Sequence, residues 1–352
     1  MVTAIMDECG GERILQPVSC VKRAAIYILK SRGGSRIMHL NIKKQPAWLQ
    51  LVIFGLITIV LAFVGSAIGF LIIASSNHMG LMELSKITPS DFAKPEFAGI
   101  AKSLLVVQFF AIFLLPSLLF AFLADPKPLA FAGLKKPDQA NFIFLGVLII
   151  LVSYVLVAWL GELNQSLVKN LLGKTARQWI DKGESEVDGT LQNILVMKNP
   201  VDLLVAIVLI GILAAVGEEL FFRGILQRIL IQAFKSPWVG ILVTAALFSA
   251  IHGQFMGFIP RMILGVVLGA LYWYSGSLLP AMAGHFVFNG LQVVLVYFKV
   301  IDTSSNTVGA RFLPVAGVIS LVIVIYLLNY LRKRSITTYD GIYRQPVEPM
   351  DI

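Results

Sequence analysis

The chain has 352 residues, 57% of them hydrophobic and 14% charged, with a formal net charge of +9 and a mean hydropathy of +0.81. A soluble domain carries about 25% charged residues, so this composition excludes an ordinary soluble globule. Apolar runs reaching the ~20 residues that a bilayer crossing needs make it an all-α, polytopic integral membrane protein. Its basic residues cluster beside the ends of those runs, which is the pattern of membrane topology and argues against a nucleic-acid partner.

Residues 1–37 lack the charged-then-apolar-then-small order of a signal peptide and any sustained helical period, and Met38 opens "MHLNIKKQPAWLQLV" just ahead of a first span. They read as a dispensable or misassigned extension. Cys9 and Cys20 both fall there, so no disulfide framework or cysteine metal site is expected. Eight spans follow, at 49–74, 103–124, 142–160, 201–227, 238–255, 259–274, 278–298 and 313–331. Three of them lie in a segment 38–199, four in a core 200–299, and the last, with a tail, in 300–352. Gly265 and Gly269 form a GxxxG spacing, which lets a neighbouring helix approach closely. Lys22, Arg23, Lys30, Arg32, Arg36, Lys43 and Lys44 precede the first span, and Lys127, Lys135, Lys136, Arg228, Lys235, Arg332, Lys333 and Arg334 mark the same side, so both termini are expected in the cytoplasm. On the opposite side, "LVKNLLGKTARQWI" in the loop 161–200 reads as an amphipathic helix on the outer surface.

The fourth span carries "GEELFFRG" at 217–224, although each charge at a helix centre costs roughly 2.5–3.5 kcal/mol. Glu219 and Arg223 are i and i+4 and can pair on one face. Glu218 points about 100° away and has no local partner. A structural reading makes these a helix-stabilising pair with one spare acid beside water, but a buried spare carboxylate usually has a task. Two of the four histidines also fall within spans, His252 one turn after Phe248 in "FSAIH" and His285 one turn before Asn289 in "HFVFN"; His39 and His78 lie outside. On a 1.5 Å rise, Glu218 lies ~15 Å from Arg228, His285 ~12 Å and Asn289 ~18 Å from Ser277, and His252 ~22 Å from Pro237, so a common site near mid-depth is geometrically open, with His252 the poorest fit.

A carboxylate and a neutral imidazole can hold and deprotonate a water, and a second imidazole with an amide can meet a developing oxyanion. Those are the requirements of amide hydrolysis without a serine or cysteine nucleophile. Glu218, His252 and His285 are equally a three-ligand set for a catalytic Zn2+ with an open position, although the local H-E-x-x-H spacing is absent. At this point both chemistries stand.

"EELFFR", "FSAIH" and "HFVFN", in that order over about seventy residues, with "RMILGVVLGALYWYSGSLLPAMAGH" between, resemble the CPBP (Abi, CaaX prenyl endopeptidase type 2-like) intramembrane proteases. The likeness covers about residues 200–299. It implies that Glu218 and His252 activate the water, that His285 and Asn289 stabilise the tetrahedral intermediate, that Glu219 and Arg223 brace the site, and that Phe248 lines it. Family members are described as metalloproteases, and a metal-free glutamate mechanism has also been proposed for them. The expected function is an intramembrane endopeptidase acting on a membrane-embedded or membrane-bound peptide or protein, in the lipid bilayer of a cell membrane such as the bacterial cytoplasmic membrane. The alternative is a non-catalytic protein of the same fold, serving bacteriocin self-immunity or as a scaffold, or a proton-coupled transporter. A transporter should show internal repeats, and no convincing repeat is visible.

Overall fold

The computed structural model describes residues 42–300 and 312–343. The expected extension 1–37, with its two cysteines and the basic residues before Lys43, lies outside them. Among the described residues all regular structure is helical: α1 Ala47–Ser76, α2 Pro95–Ala124, α3 Phe142–Leu171, α4 Lys174–Ile194, α5 Pro200–Phe234, α6 Pro237–Ala250, α7 Phe258–Ser275, α8 Leu279–Tyr297, α9 Leu313–Arg334 and the short α10 Tyr339–Tyr343.

Seven of these (α1, α2, α3, α5, α7, α8 and α9) are long and apolar enough to cross a membrane. The expected fifth span, 238–255, departs from this. Helix α6 holds 14 residues, about 21 Å of rise against a hydrocarbon core of ~30 Å. It stops at Ala250, and Gly253 then takes the left-handed φ of +66° that only a residue without Cβ adopts freely. His252 therefore sits in the turn after α6 rather than inside a helix, which corrects its placement at depth within the fifth span. The expected outer-surface helix is also divided differently. "LVKNL" continues α3, which ends at Leu171, and the amphipathic helix is α4, which starts at Lys174.

Local signals start and stop the helices that carry the candidate site. The Asn199 side chain accepts from the amides of Val201 and Asp202, with Pro200 at the first helical position of α5. Lys235 ends α5 in the left-handed region, and the Ser236 hydroxyl caps α6 ahead of Pro237. Two π-helical segments interrupt α5, at Ile207–Leu213 and Leu220–Gln227; such widened turns recur at functional sites.

Helix α7 is the most enclosed of the seven, with 67% of its most apolar stretch buried, against 11% for the peripheral α1. Its Gly265 and Gly269 do more than allow close packing. Arg223 Nη2 donates to the Gly265 carbonyl at 3.2 Å, and Gln227 Nε2 donates to the Gly269 carbonyl at 3.1 Å. A Cβ on Gly269 would stand 2.6 Å from Gln227 Oε1, and one on Gly265 would stand 3.4 Å from Arg223 Nη2. Two polar side chains of α5, four residues apart, thus read the backbone of two glycines four residues apart on α7.

Candidate active site

The centre of the site is a chain of charge-assisted hydrogen bonds. Glu219 and Arg223 are both 0% exposed, and Arg223 Nη1 donates to Glu219 Oε1 at 2.6 Å. The guanidinium also lies over the Phe248 ring, 4.5 Å from its centroid. Glu219 Oε1, which accepts from Arg223, also lies 2.8 Å from His285 Nδ1, so the ring donates to it from Nδ1. In the neutral ring, His285 Nε2 then carries a lone pair, and Glu218 Oε2 stands 3.8 Å from it. Neither atom can donate to the other in that state. A single water at about 2.8 Å from both satisfies them at an apex angle of about 85°. The Glu218 side chain keeps 15% exposure, enough for its carboxylate to meet solvent or a substrate.

His252 Nδ1 lies 2.8 Å from the Phe248 carbonyl. A carbonyl only accepts, so the proton sits on Nδ1 and Nε2 is bare in the neutral ring. Phe248 stands between the two imidazoles, its ring centroid 5.1 Å from that of His252 and 6.1 Å from that of His285. The turn bearing His252 is pinned from two sides. Asn164 of α3 donates to the carbonyls of Phe255 and Met256, and Glu184 of α4 accepts from the Met256 amide.

Asn289, one turn after His285 on α8, donates from Nδ2 to the Ile210 carbonyl at 3.0 Å, within the first π-helical segment of α5. Its amide makes no second hydrogen bond among the described residues. Asn289 and Ile210 line a cavity of about 670 Å³, whose wall also includes Glu162, Glu184, Asp188 and Met256. Burial pushes the Asp188 carboxyl above its ordinary pKa. The structure thus sets Arg223, His252 and His285 around the Phe248 ring, ties Glu219 to Arg223 and His285, brings Glu218 to 3.8 Å from His285, and puts Asn289 on the wall of a cavity.

One residue escaped the sequence reading. Arg261, in the first turn of α7, lies within electrostatic range of Glu218, His252 and Glu184. It donates from Nη2 to Gln254 at 2.8 Å, its buried Nη1 has no partner, and it makes no salt bridge among the described residues. Its signal was present in "FIPRMILG" as a charge inside an apolar run, the same anomaly that singled out Glu218.

The fit to a zinc ion divides. Both histidines hold Nδ1 on an oxygen acceptor, as metal-ligating histidines do. Yet among the described residues no three His, Cys, Asp or Glu side chains gather closely enough to hold a metal ion. The set Glu218, His252 and His285 does not close into such a site in this arrangement.

Residues 200–291 match the family model described as Type II CAAX prenyl endopeptidase Rce1-like. The match spans α5 to α8, covers the residues that carry the CPBP resemblance, and agrees with it. The Bacillus subtilis (strain 168) protein described as "Uncharacterized protein YpbD" is 26% identical over 97 residues, covering 26% of this chain and 47% of that relative. The chain thus matches about half the length of this curated relative. No solved structure matches the chain. The seven apolar helices and the family match make this a multi-pass membrane protein with a CAAX-protease-like segment.

Proposed function

We propose that the protein is an intramembrane endopeptidase that hydrolyses a peptide bond of a membrane-embedded or membrane-bound substrate with a carboxylate-activated water. The observation that carries this reading is the pair Glu218 Oε2 and His285 Nε2, 3.8 Å apart, with His285 oriented by a buried Glu219 that also accepts from Arg223.

Glu218 takes a proton from the bound water as its oxygen attacks the substrate carbonyl carbon. The carbonyl π pair moves onto oxygen, where the second amide hydrogen of Asn289 and the nearby Arg261 meet the developing negative charge. His285 receives the proton on Nε2, and Glu219 stabilises the imidazolium, as a carboxylate does behind a catalytic histidine. Collapse of the tetrahedral intermediate breaks the C–N bond, and the proton passes to the leaving amine. The substrate bond reaches Glu218 from the cavity that Asn289 lines.

The test is cleavage of internally quenched, membrane-anchored peptides by purified protein and by Glu218→Gln, which keeps shape and removes the base. The rate is expected to fall at least ~10²-fold, and Asn289→Ala to lose ~10²–10³-fold with binding little changed. A chelator arm separates the two chemistries: indifference supports the metal-free route, and loss restored by zinc supports a metal-dependent one. Full activity of a verified Glu218→Gln preparation would falsify the assignment of the base.

A further inference from the structure

A second polar site lies at one end of the bundle, and the proteolytic reading leaves it unused. Lys43 and Lys44 precede α1, Asp125 and Lys127 follow α2, Lys135 and Asp138 precede α3, and α10 follows α9, so all of them meet at the same end. Two cavities of about 470 and 490 Å³ open there. They share Phe131, Arg228, Ile342 and Tyr343 as a common wall.

The charge in these walls is unbalanced. Five cations (Lys43, Lys44, Lys127, Lys135 and Arg228) face two acids, Asp125 and Asp138, a surplus of three by subtraction. Lys43 is paired with Asp125, and Asp138 accepts from the Thr337 hydroxyl. Lys44, Lys127, Lys135 and Arg228 make no salt bridge among the described residues. Cations at this end are expected from topology alone; the fixing of Arg228 is not. Its guanidinium stacks on Phe131 at 4.5 Å and reaches Tyr343 at 5.7 Å, and Nη1 donates to the Phe131 carbonyl. The Tyr343 hydroxyl donates back to the Arg228 carbonyl at 2.9 Å. An arginine fork held by aromatic walls, with no other side-chain hydrogen bond among the described residues and lysines around it, is suited to phosphate oxygens. Tyr272 and Trp273 line the same wall, and such aromatic residues mark the headgroup level of a bilayer.

We infer that these two adjoining cavities, which share Arg228, receive the phosphate of an anionic lipid headgroup, with Arg228 as its central partner and Lys44, Lys127 and Lys135 in the walls on either side. A phosphodiester brings the counter-charge that this end of the protein lacks, and basic recesses between membrane helices bind such headgroups. The site is independent of the hydrolytic residues.

The experiment uses full-length protein in nanodiscs of phosphatidylcholine with spin-labelled phosphatidylglycerol, reading the immobilised lipid fraction. The wild type is expected to hold labelled phosphatidylglycerol over labelled phosphatidylcholine. Arg228→Gln should lose that preference, and the exposed pair Lys44→Gln/Lys127→Gln should weaken it roughly tenfold or more. Lys136→Gln/Lys333→Gln, which removes two charges outside the cavity walls, is the control and should retain it. Displacement of the label by inorganic phosphate, abolished by the same variants, keeps the phosphate site but assigns it to a soluble ester. If Arg228→Gln does not fold, the lysine pair decides. Equal loss in the control pair, or undiminished preference in folded Lys44→Gln/Lys127→Gln, overturns the proposal.

Discussion

Arg223 and Arg261 are two arginines in the same helical core with opposite commitments. Arg223 gives its two Nη atoms to Glu219 and Gly265 and its face to Phe248, leaving only Nε without a partner among the described residues, so its loss strands a buried carboxylate. Arg223→Ala should destabilise the protein by ~3–5 kcal/mol, read as a lowered thermal unfolding midpoint in detergent. Replacing Glu219 and Arg223 together by a neutral pair of similar volume should recover stability but not activity, because His285 loses its orienting acceptor. An Arg223→Ala protein that unfolds at the wild-type temperature would mean the pair is not what holds α5 at this point. Arg261, with a buried Nη1 left open, should instead show its effect in turnover. Arg261→Lys is expected to lower kcat more than it lowers the unfolding midpoint.

Between elements, the contact of α5 with α7 is the most exacting. Gly269→Ala puts a methyl 2.6 Å from Gln227 Oε1 and 3.0 Å from Ile241, and should cost about 1–3 kcal/mol by overpacking. Gly55→Ala, on α1 with nothing within 4 Å of the added carbon, is the matched control and should be neutral or slightly stabilising. Equal behaviour of the two variants in chemical unfolding would refute the glycine-ladder account. A second tie joins the start of α1 to the end of α2. Burial pushes the Asp125 carboxyl up, but hydrogen bonds from Lys43 and the Lys127 amide outweigh it, so its pKa lies below the ordinary 3.8. A depressed carboxylate stabilises the fold above its unfolded pKa and loses that contribution as pH falls below 3.8 toward the folded value. The stability gap between the wild type and Asp125→Asn should therefore narrow across that window in pH-dependent thermal unfolding. A gap that is constant with pH would show that Asp125 acts only through packing.

Across the whole molecule, the alternation of helices sets Lys127 and Lys182 on opposite ends of the bundle, one after α2 and the other on α4. The basic flanks predict that the Lys127 end is cytoplasmic. In a background without Cys9 and Cys20, Lys182→Cys should react with an impermeant maleimide on intact cells, and Lys127→Cys only after the membrane is opened. The reverse labelling pattern would invert the topology. It would also move the phosphate cavities to the other leaflet without altering their chemistry.

The membrane class, the helical architecture and most helix positions were legible in the sequence because hydropathy over ~20 residues is a local quantity that bilayer thickness reads directly. The pair Glu219–Arg223 was legible for a similar reason, since i,i+4 geometry depends on one helix alone. The length of α6 was not, because "IHGQFMG" remains apolar enough to prolong a hydropathy window while Gly253 turns the backbone. Nor could the sequence say how the imidazoles stand to Glu218: the family likeness pairs it with His252, and in the structure His285 Nε2 comes to 3.8 Å from it. That approach depends on how α5 and α8 pack side by side, and no single helix encodes it. The same holds for the Arg228 cavities, whose walls come from segments more than two hundred residues apart and exist only once the chain has folded back on itself.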